Sequence, residues 1–363
     1  MKGLGRGSSR QGICKEATVC SGEGEARVCM GMSNHFGVRS RRLTRRSTLA
    51  LAPLLGFPAV VAAQVPAKLP RVGVIAWEGP ETALRVDEVR KAMEVAGYRE
   101  GLNVAFEWRW AAGSRARAAD AAAELEALGV DVLFVLTTPV AHAAKDVVRK
   151  TPIVFSVADA LATGLVSNVT RPGGLMTGVM LFSPELGPKR LEILREAMPN
   201  VSRVGFLASS LDPNAATFIR ETTAAAKRLG IALVSIAVRG PEEFGSALDQ
   251  MVSERIQAVI LQTLFSATSR QFIEPALARG LPCVGDQPVF AENGALLAFG
   301  SYRPHLFERA ASQIDRILKG ASPGEIPVEG PTTFWLAINQ RTARMLGLTL
   351  PASLLIRADE VIE

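Results

Sequence analysis

Beyond residue 64 the chain contains two histidines, His142 and His305, and one cysteine, Cys283. His142 falls in a helical pattern just after Pro139, and His305 opens another. Neither has a partner at metal-ligand spacing, so both read as surface or cap-region residues. Cys283 sits in an apolar strand pattern, where a thiol is buried and inert. No Gly-x-Ser-x-Gly elbow, phosphate loop or dinucleotide glycine fingerprint follows a strand pattern. Arg171-Pro172-Gly173-Gly174 has the glycines of a phosphate cradle but lacks the lysine and the following helix, and reads as a turn. The sequence therefore offers no catalytic residue, no metal site and no cofactor site.

Binding chemistry remains, and it gathers at the carboxyl ends of strand patterns. In the first half these ends carry Trp77 and Glu78, Thr137 and Thr138, and residues 157–159. Trp77 can stack on an apolar or aromatic solute. Thr137 and Thr138 precede a helix, where hydroxyls and free backbone N–H groups hold a carboxylate. Asp159 can accept from an ammonium group. In the second half the candidates are Ser209, Asn214, Gln262, Asp286 and Tyr302, for each of which capping or turn chemistry is the competing reading. Trp108 and Trp110 read as packing residues.

The elements that position these residues alternate. Strands are predicted over 71–77, 102–108, 131–136 and 152–157, with helices over 81–96, 115–128 and 140–150. The runs DVLFVL and PIVFSV are apolar almost throughout, as strands buried on both faces are. Residues 159–188 are dense in Gly and Pro and read as irregular chain. The alternation then restarts, with strands over 203–208, 231–238, 257–262, 281–285 and 295–300 and helices over 214–229, 241–254 and 266–279. The tail adds a helix over 305–319, a strand over 333–339 and a helix over 340–346, for which Asn339 is a fitting N-cap. The fold class is α/β: two Rossmann-like lobes with parallel sheets flanked by helices. Lobe 1 is expected over 70–182 with part of about 304–330, and lobe 2 over 187–300 with part of about 331–363. Ligands of open α/β sheets bind beyond the carboxyl strand ends, so two such edges face to face would enclose a small molecule.

Charge separates the N-terminus from this body. Residues 1–63 carry ten Lys/Arg against three Asp/Glu, a net of +7, and the remaining residues carry 31 against 32, a net of −1. The body has no cationic excess for nucleic acid. Residues 39–63 combine a basic stretch, Arg39 to Arg46, an apolar run from Leu49 to Val61 and the small pair Ala62-Ala63. This is the layout of a secretory signal peptide, with an apolar run too short to span a bilayer. Arg45-Arg46 also fits a twin-arginine signal, so either export route is open. Residues 1–38 read as an extension outside the folded protein. Cys14, Cys20 and Cys29 all precede the apolar run, which leaves the body no internal disulfide.

The segment GLVSNVTRPGG at 164–174, followed by Thr177-Gly178, resembles one typical of the ABC transporter substrate-binding proteins related to tryptophan and tyrosine receptors. Residues 318–327 (LKGASPGEIP) and 338–363 are similar to that family's C-terminal signature, and Lys189-Arg190-Leu191-Glu192 to its linking helix. The resemblance covers nearly all of 70–363. It implies a type I periplasmic-binding-protein fold whose lobes close on a ligand about a hinge. It also implies a periplasmic location, a small-molecule ligand of amino-acid type, and a membrane permease of an ABC importer as partner to a monomeric receptor. A sensory protein signalling to a membrane receptor is the alternative, and a cleft hydrolase or isomerase a more distant one. Leu175, Ala295, Ala298-Phe299-Gly300 and Ala158-Asp159-Ala160 depart from the family's usual residues. They leave the implied fold intact and loosen the link to one particular ligand.

Overall fold

The computed structural model describes residues 69–80, 86–182 and 186–363. The expected signal peptide at 39–63 and the segment before it lie outside the described residues. Five strands, β1 (Arg71–Ala76), β2 (Ala105–Trp110), β3 (Val132–Leu136), β4 (Ile153–Val157) and β5 (Met176–Met180), form a wholly parallel sheet in the order β2-β1-β3-β4-β5. Strand period two sends alternate side chains to opposite faces. Ile75, Leu133, Val135, Ile153 and Phe155 pack with α2 (Arg115–Leu128) and α3 (Thr138–Val147) on one face. Val72, Val74, Phe134 and Val154 pack with α1 (Val86–Val95) on the other. Both faces are covered, and β3 and β4 are buried along their whole length.

The stretch 159–188, expected to be irregular, contains β5. Its sequence, MTGVM, carries no strand pattern of its own. Its strand character comes from its ladder with β4, along which a Cβ on Gly178 would lie 2.1 Å from the carbonyl oxygen of Phe155.

The second sheet contains β6 (Arg203–Ser209), β7 (Ala232–Val238), β8 (Ala258–Leu261), β9 (Cys283–Gly285), β10 (Leu297–Ser301), β11 (Phe334–Asn339) and β12 (Glu360–Ile362). Its order is β7-β6-β8-β9-β10-β11-β12, parallel throughout except between β10 and β11. The first five strands repeat the order of the first sheet. One face packs with α4 (Leu186–Ala197) and α5 (Ala215–Arg228), the other with α6 (Phe244–Ser253), α7 (Ser269–Ala278) and α8 (Pro288–Glu292).

The chain passes between the sheets three times. It leaves β5 for α4, and it returns from β10 into α9 (Arg303–Leu318), which packs on α1, β4 and β5. Tyr98 donates from its hydroxyl to Asp315 of α9 at 2.9 Å, and Phe307 meets Phe134 edge-on at 5.7 Å. Beyond α9, Val328 N and Glu329 N donate to Val169 O and Gly178 O of the first lobe, and the chain then crosses to β11. Among the described residues no helix is long and apolar enough to cross a membrane.

Gly300 of β10 runs close over the end of β9, where a Cβ would lie 2.0 Å from the carbonyl oxygen of Asp286. Gly300→Ala is therefore expected to destabilise the chain by about 1–3 kcal/mol, the usual cost of overpacking. Urea denaturation checks it: a midpoint equal to wild type would contradict the close approach.

Candidate ligand-binding cleft

In each sheet the strand order reverses once, between β1 and β3 and between β6 and β8, and the chain leaves the carboxyl ends of these strands in opposite directions. A crevice opens at such a point. Here the two crevices face one another, and residues from both sheets line a shared cavity. One compartment is lined by Thr137, Thr138 and Ser156 from lobe 1 and by Asp212 and Thr263 from lobe 2. A second reaches into lobe 2, where Arg190, Glu221, Gln262 and Asp286 line it. The two share Ala158, Leu181, Phe218 and Thr263, and they contain about 420 and 480 Å³ of atom-free space, open solvent included. Trp77, Glu78, Leu211 and Arg239 line a wider mouth of about 950 Å³ that shares Leu264 with the first compartment.

A train of hydrogen bonds crosses the cavity. Ser209 N donates to Gln262 Oε1 at 2.6 Å, and Gln262 Nε2 donates to Asp212 Oδ2. Asp212 Oδ1 accepts from Asn214 N at 2.9 Å. Asn214 Nδ2 then reaches across to Thr138 Oγ1 at 2.8 Å, which also accepts from Ala158 N at 3.3 Å. Asn214 is fully buried and Thr138 is 2% exposed. A neutral hydrogen bond contributes about 1 kcal/mol net, and a buried group left unpaired costs about 1–3 kcal/mol.

Thr137 ends the connection from β3 and N-caps α3 with φ +88°, a conformation that costs a β-branched residue about 1–3 kcal/mol. Its side chain does not cap its own helix. Its hydroxyl, the Ser156 hydroxyl, Asn214 Oδ1 and Asp286 Oδ1 are all buried without a protein partner. The positive end of the α3 dipole points the same way, and with two free hydroxyls it makes an anion-accepting corner. Opposite stands Asp212. Burial pushes its carboxyl up to about 6, against the hydrogen bonds from Asn214 and Gln262 that favour the charged form. Among the described residues it has no ion pair. Deeper in lobe 2, Arg190 is buried, donates from Nε to Phe299 O at 2.7 Å, and lies 3.8 Å from Asp286 Oδ2. Burial lowers its guanidinium from the usual value, opposed by the Asp286 charge.

Of the residues selected from sequence, Thr137, Thr138, Gln262 and Asp286 line the two compartments, Asn214 bridges the two lobes through its amide, and Trp77 lines the mouth. Gln262 has both ends of its amide engaged and acts by holding Asp212. Asp159 is placed elsewhere: its Oδ1 accepts from Leu161 N and Ala162 N, each at 2.9 Å, and closes a turn outside both compartments. Tyr302 also lies outside them, stacked on Trp335 with ring centroids 5.0 Å apart. Asp212, Ser156, Arg190, Glu221 and Phe218 were not selected from sequence. The Asp212-Pro213-Asn214 run after β6 carried a turn signal that points to Asp212, while Ser156 is hidden inside an apolar strand and Phe218 inside a helix pattern.

The remaining reactive residues lie away from the cavity lining. His142 is half-buried, with desolvation and then Arg115 and Lys145 lowering its pKa, and His305 is exposed beside Thr333 Oγ1. Cys283 is fully buried in β9, and burial pushes its thiol up. Trp108 stacks on Trp110 at 5.8 Å in the packing of β2. Gly173 and Gly174 pack against Gly324, and Gly173 N donates to Gly324 O at 3.1 Å, so the Arg171-Pro172-Gly173-Gly174 run is a structural turn. Among the described residues no cluster of three His, Cys, Asp or Glu is placed to hold a metal ion.

Asp212 has a pH signature. Its folded pKa is raised, so its contribution to stability is fully present below the unfolded value near 3.8 and is lost as pH rises through about 6. Relative to Asp212→Asn, wild type should gain about 2 kcal/mol between pH 7 and pH 4, following about 1.4 kcal/mol per pKa unit. Urea titrations of both chains across that range measure it, and parallel curves would contradict the buried carboxylate.

A family model described as ABC transporter substrate binding protein matches residues 71–362. The tyrosine-binding protein of Clostridioides difficile (strain R20291) is 23% identical over 261 residues, 71% of this chain and 75% of that protein. Two solved structures each superpose with a TM-score of 0.75 over 81% of this chain and the whole of theirs. One is a conserved domain protein from Vibrio cholerae, 26% identical. The other is an ABC domain from Streptococcus pneumonia in complex with L-Trp, 25% identical. The two lobes and their flanked parallel sheets are those of the type I periplasmic-binding-protein fold.

Proposed function

The chain belongs to the ABC transporter substrate-binding protein family, and we propose that it is the extracytoplasmic receptor of an importer, binding one amino acid in the interlobe cavity and handing it unchanged to a membrane permease. The observation that carries this reading is the pairing, within one compartment, of a buried carboxylate with an anion-accepting corner. Asp212 lies across from the α3 N-terminus and the free hydroxyls of Thr137 and Ser156. A zwitterion supplies what each side lacks: its carboxylate takes the helix N–H groups and hydroxyls, and its ammonium takes Asp212. Asp212 then serves as the ammonium partner that Asp159 was expected to be. Phe218, Leu181 and Leu264 give the side chain an apolar wall, in keeping with aromatic ligands, and the tyrosine-binding protein and the L-Trp complex among the relatives favour the same class. The solute meets both lobes at once, so binding favours the closed arrangement of the two.

Binding at a hundredfold excess over Kd stabilises a folded chain by about 2.7 kcal/mol, or about 4 °C at this size. A thermal-shift panel of the twenty L-amino acids is expected to give such a rise with at least one, and none with the matching amines that lack the carboxylate. Equal shifts with the decarboxylated amines would remove the anion corner from the account, and no shift with any amino acid would remove the ligand class.

A further inference from the structure

The lobe-2 compartment carries polar groups that the α-carboxylate and α-ammonium of a zwitterion leave unused. Asp286, at the end of β9, is 8% exposed. Its Oδ2 accepts from Thr263 Oγ1 and faces Arg190 at 3.8 Å, and its Oδ1 is buried with no protein partner. Glu221, on α5, lines the same compartment, and its Oε2 is likewise buried without a partner, while Oε1 lies 3.7 Å from Arg220. Arg190 is already engaged by Phe299 O. Two carboxylates stand here against one buried guanidinium, and each keeps one oxygen in want of a donor. Such oxygens are costly to bury empty, and a water or an apolar group serves them less well than a charged donor.

Resting on the amino-acid reading above, we infer that this end of the cavity is a donor subsite for a protonated nitrogen at the far end of the solute. The preferred ligand is then an amino acid whose side chain passes the Phe218 wall and ends in an amine, amidine or guanidine group. Asp286 is held for this task from two sides, by Thr263 and by Arg190, and Glu221 supplies the second acceptor. An apolar tip leaves both oxygens unpaired, and a carboxylate tip meets two like charges.

Calorimetric titration of the mature chain with L-phenylalanine, L-tyrosine and 4-(aminomethyl)-L-phenylalanine tests this, since the three share both α-groups and the ring and differ at the tip. The amine is expected to bind at least tenfold tighter than L-phenylalanine. Asp286→Asn and Glu221→Gln are each expected to cut that ratio severalfold, with circular dichroism confirming that the variants fold. Glu221 is part-exposed, so its variant keeps the test open if the Asp286 variant fails to fold. L-phenylalanine binding as tightly as the amine overturns the donor subsite while leaving the receptor reading in place, and so does a ratio that the substitutions do not move. If neither the amine nor any of the twenty amino acids binds, the receptor reading fails and the subsite with it.

Discussion

The hydrogen bond from Asn214 Nδ2 to Thr138 Oγ1 ties one lobe to the other across the cavity, and the geometry on both sides depends on it. On lobe 2 it fixes the turn that carries Asp212, because Asn214 N is also the donor to that carboxylate. On lobe 1 it engages Thr138 at the first position of α3, beside the strained Thr137. Both partners are buried. A buried polar pair between lobes is expensive to open, yet it leaves Asn214 Oδ1 unmatched. The contact therefore ties one lobe to the other at a single buried point.

This contact is possible because the second sheet repeats the strand order of the first. The reversal between β1 and β3 and that between β6 and β8 each open a crevice, and the three crossings keep the crevices opposed. Crossing segments that take the chain back and forth are suited to hinge motion, since each absorbs a small change in backbone angles. The tail contributes to both lobes, with α9 packed on the first and β11 in the second sheet, so neither lobe is complete without it.

The fold was legible in the sequence because its evidence is local. The runs that became β3 and β4 are apolar almost throughout, and glycines such as Gly129 and Gly230 mark where helices stop. The segment that carried the family resemblance is structural as well. Leu165 and Val166 pack in the lobe-1 core, Thr177 Oγ1 donates to Ile326 O at 2.8 Å, and Gly173 and Gly174 seat the returning tail at Gly324. Those residues pack lobe 1 and seat the returning tail on it, and they line neither compartment. Strand-end reasoning found Thr137, Thr138 and Asp286 for the same reason, since the end of a strand can be read from pattern. It could not tell which of two aspartates faces the cavity. Asp159 and Asp212 both follow strands, and only the course of the loops decides that one closes a turn while the other lines the site. Likewise β5 exists through its partner strand and not through its own five residues. Among the departures from the family pattern, Ala158 alone lines the cavity, while Ala295 and Ala298 are core residues.

The account stands on the claim that the opposed strand ends hold one small zwitterion between them. Native mass spectrometry of the chain, loaded by incubation with a cell extract and then denatured to release and identify what it carries, tests this most directly. The account predicts a single solute bound one to one, bearing both a carboxylate and a protonated nitrogen, and lost when Asp212→Ala and Thr137→Val are combined in a chain that still folds. A solute retained undiminished by that double variant, or a wild-type chain that takes up nothing, would contradict it.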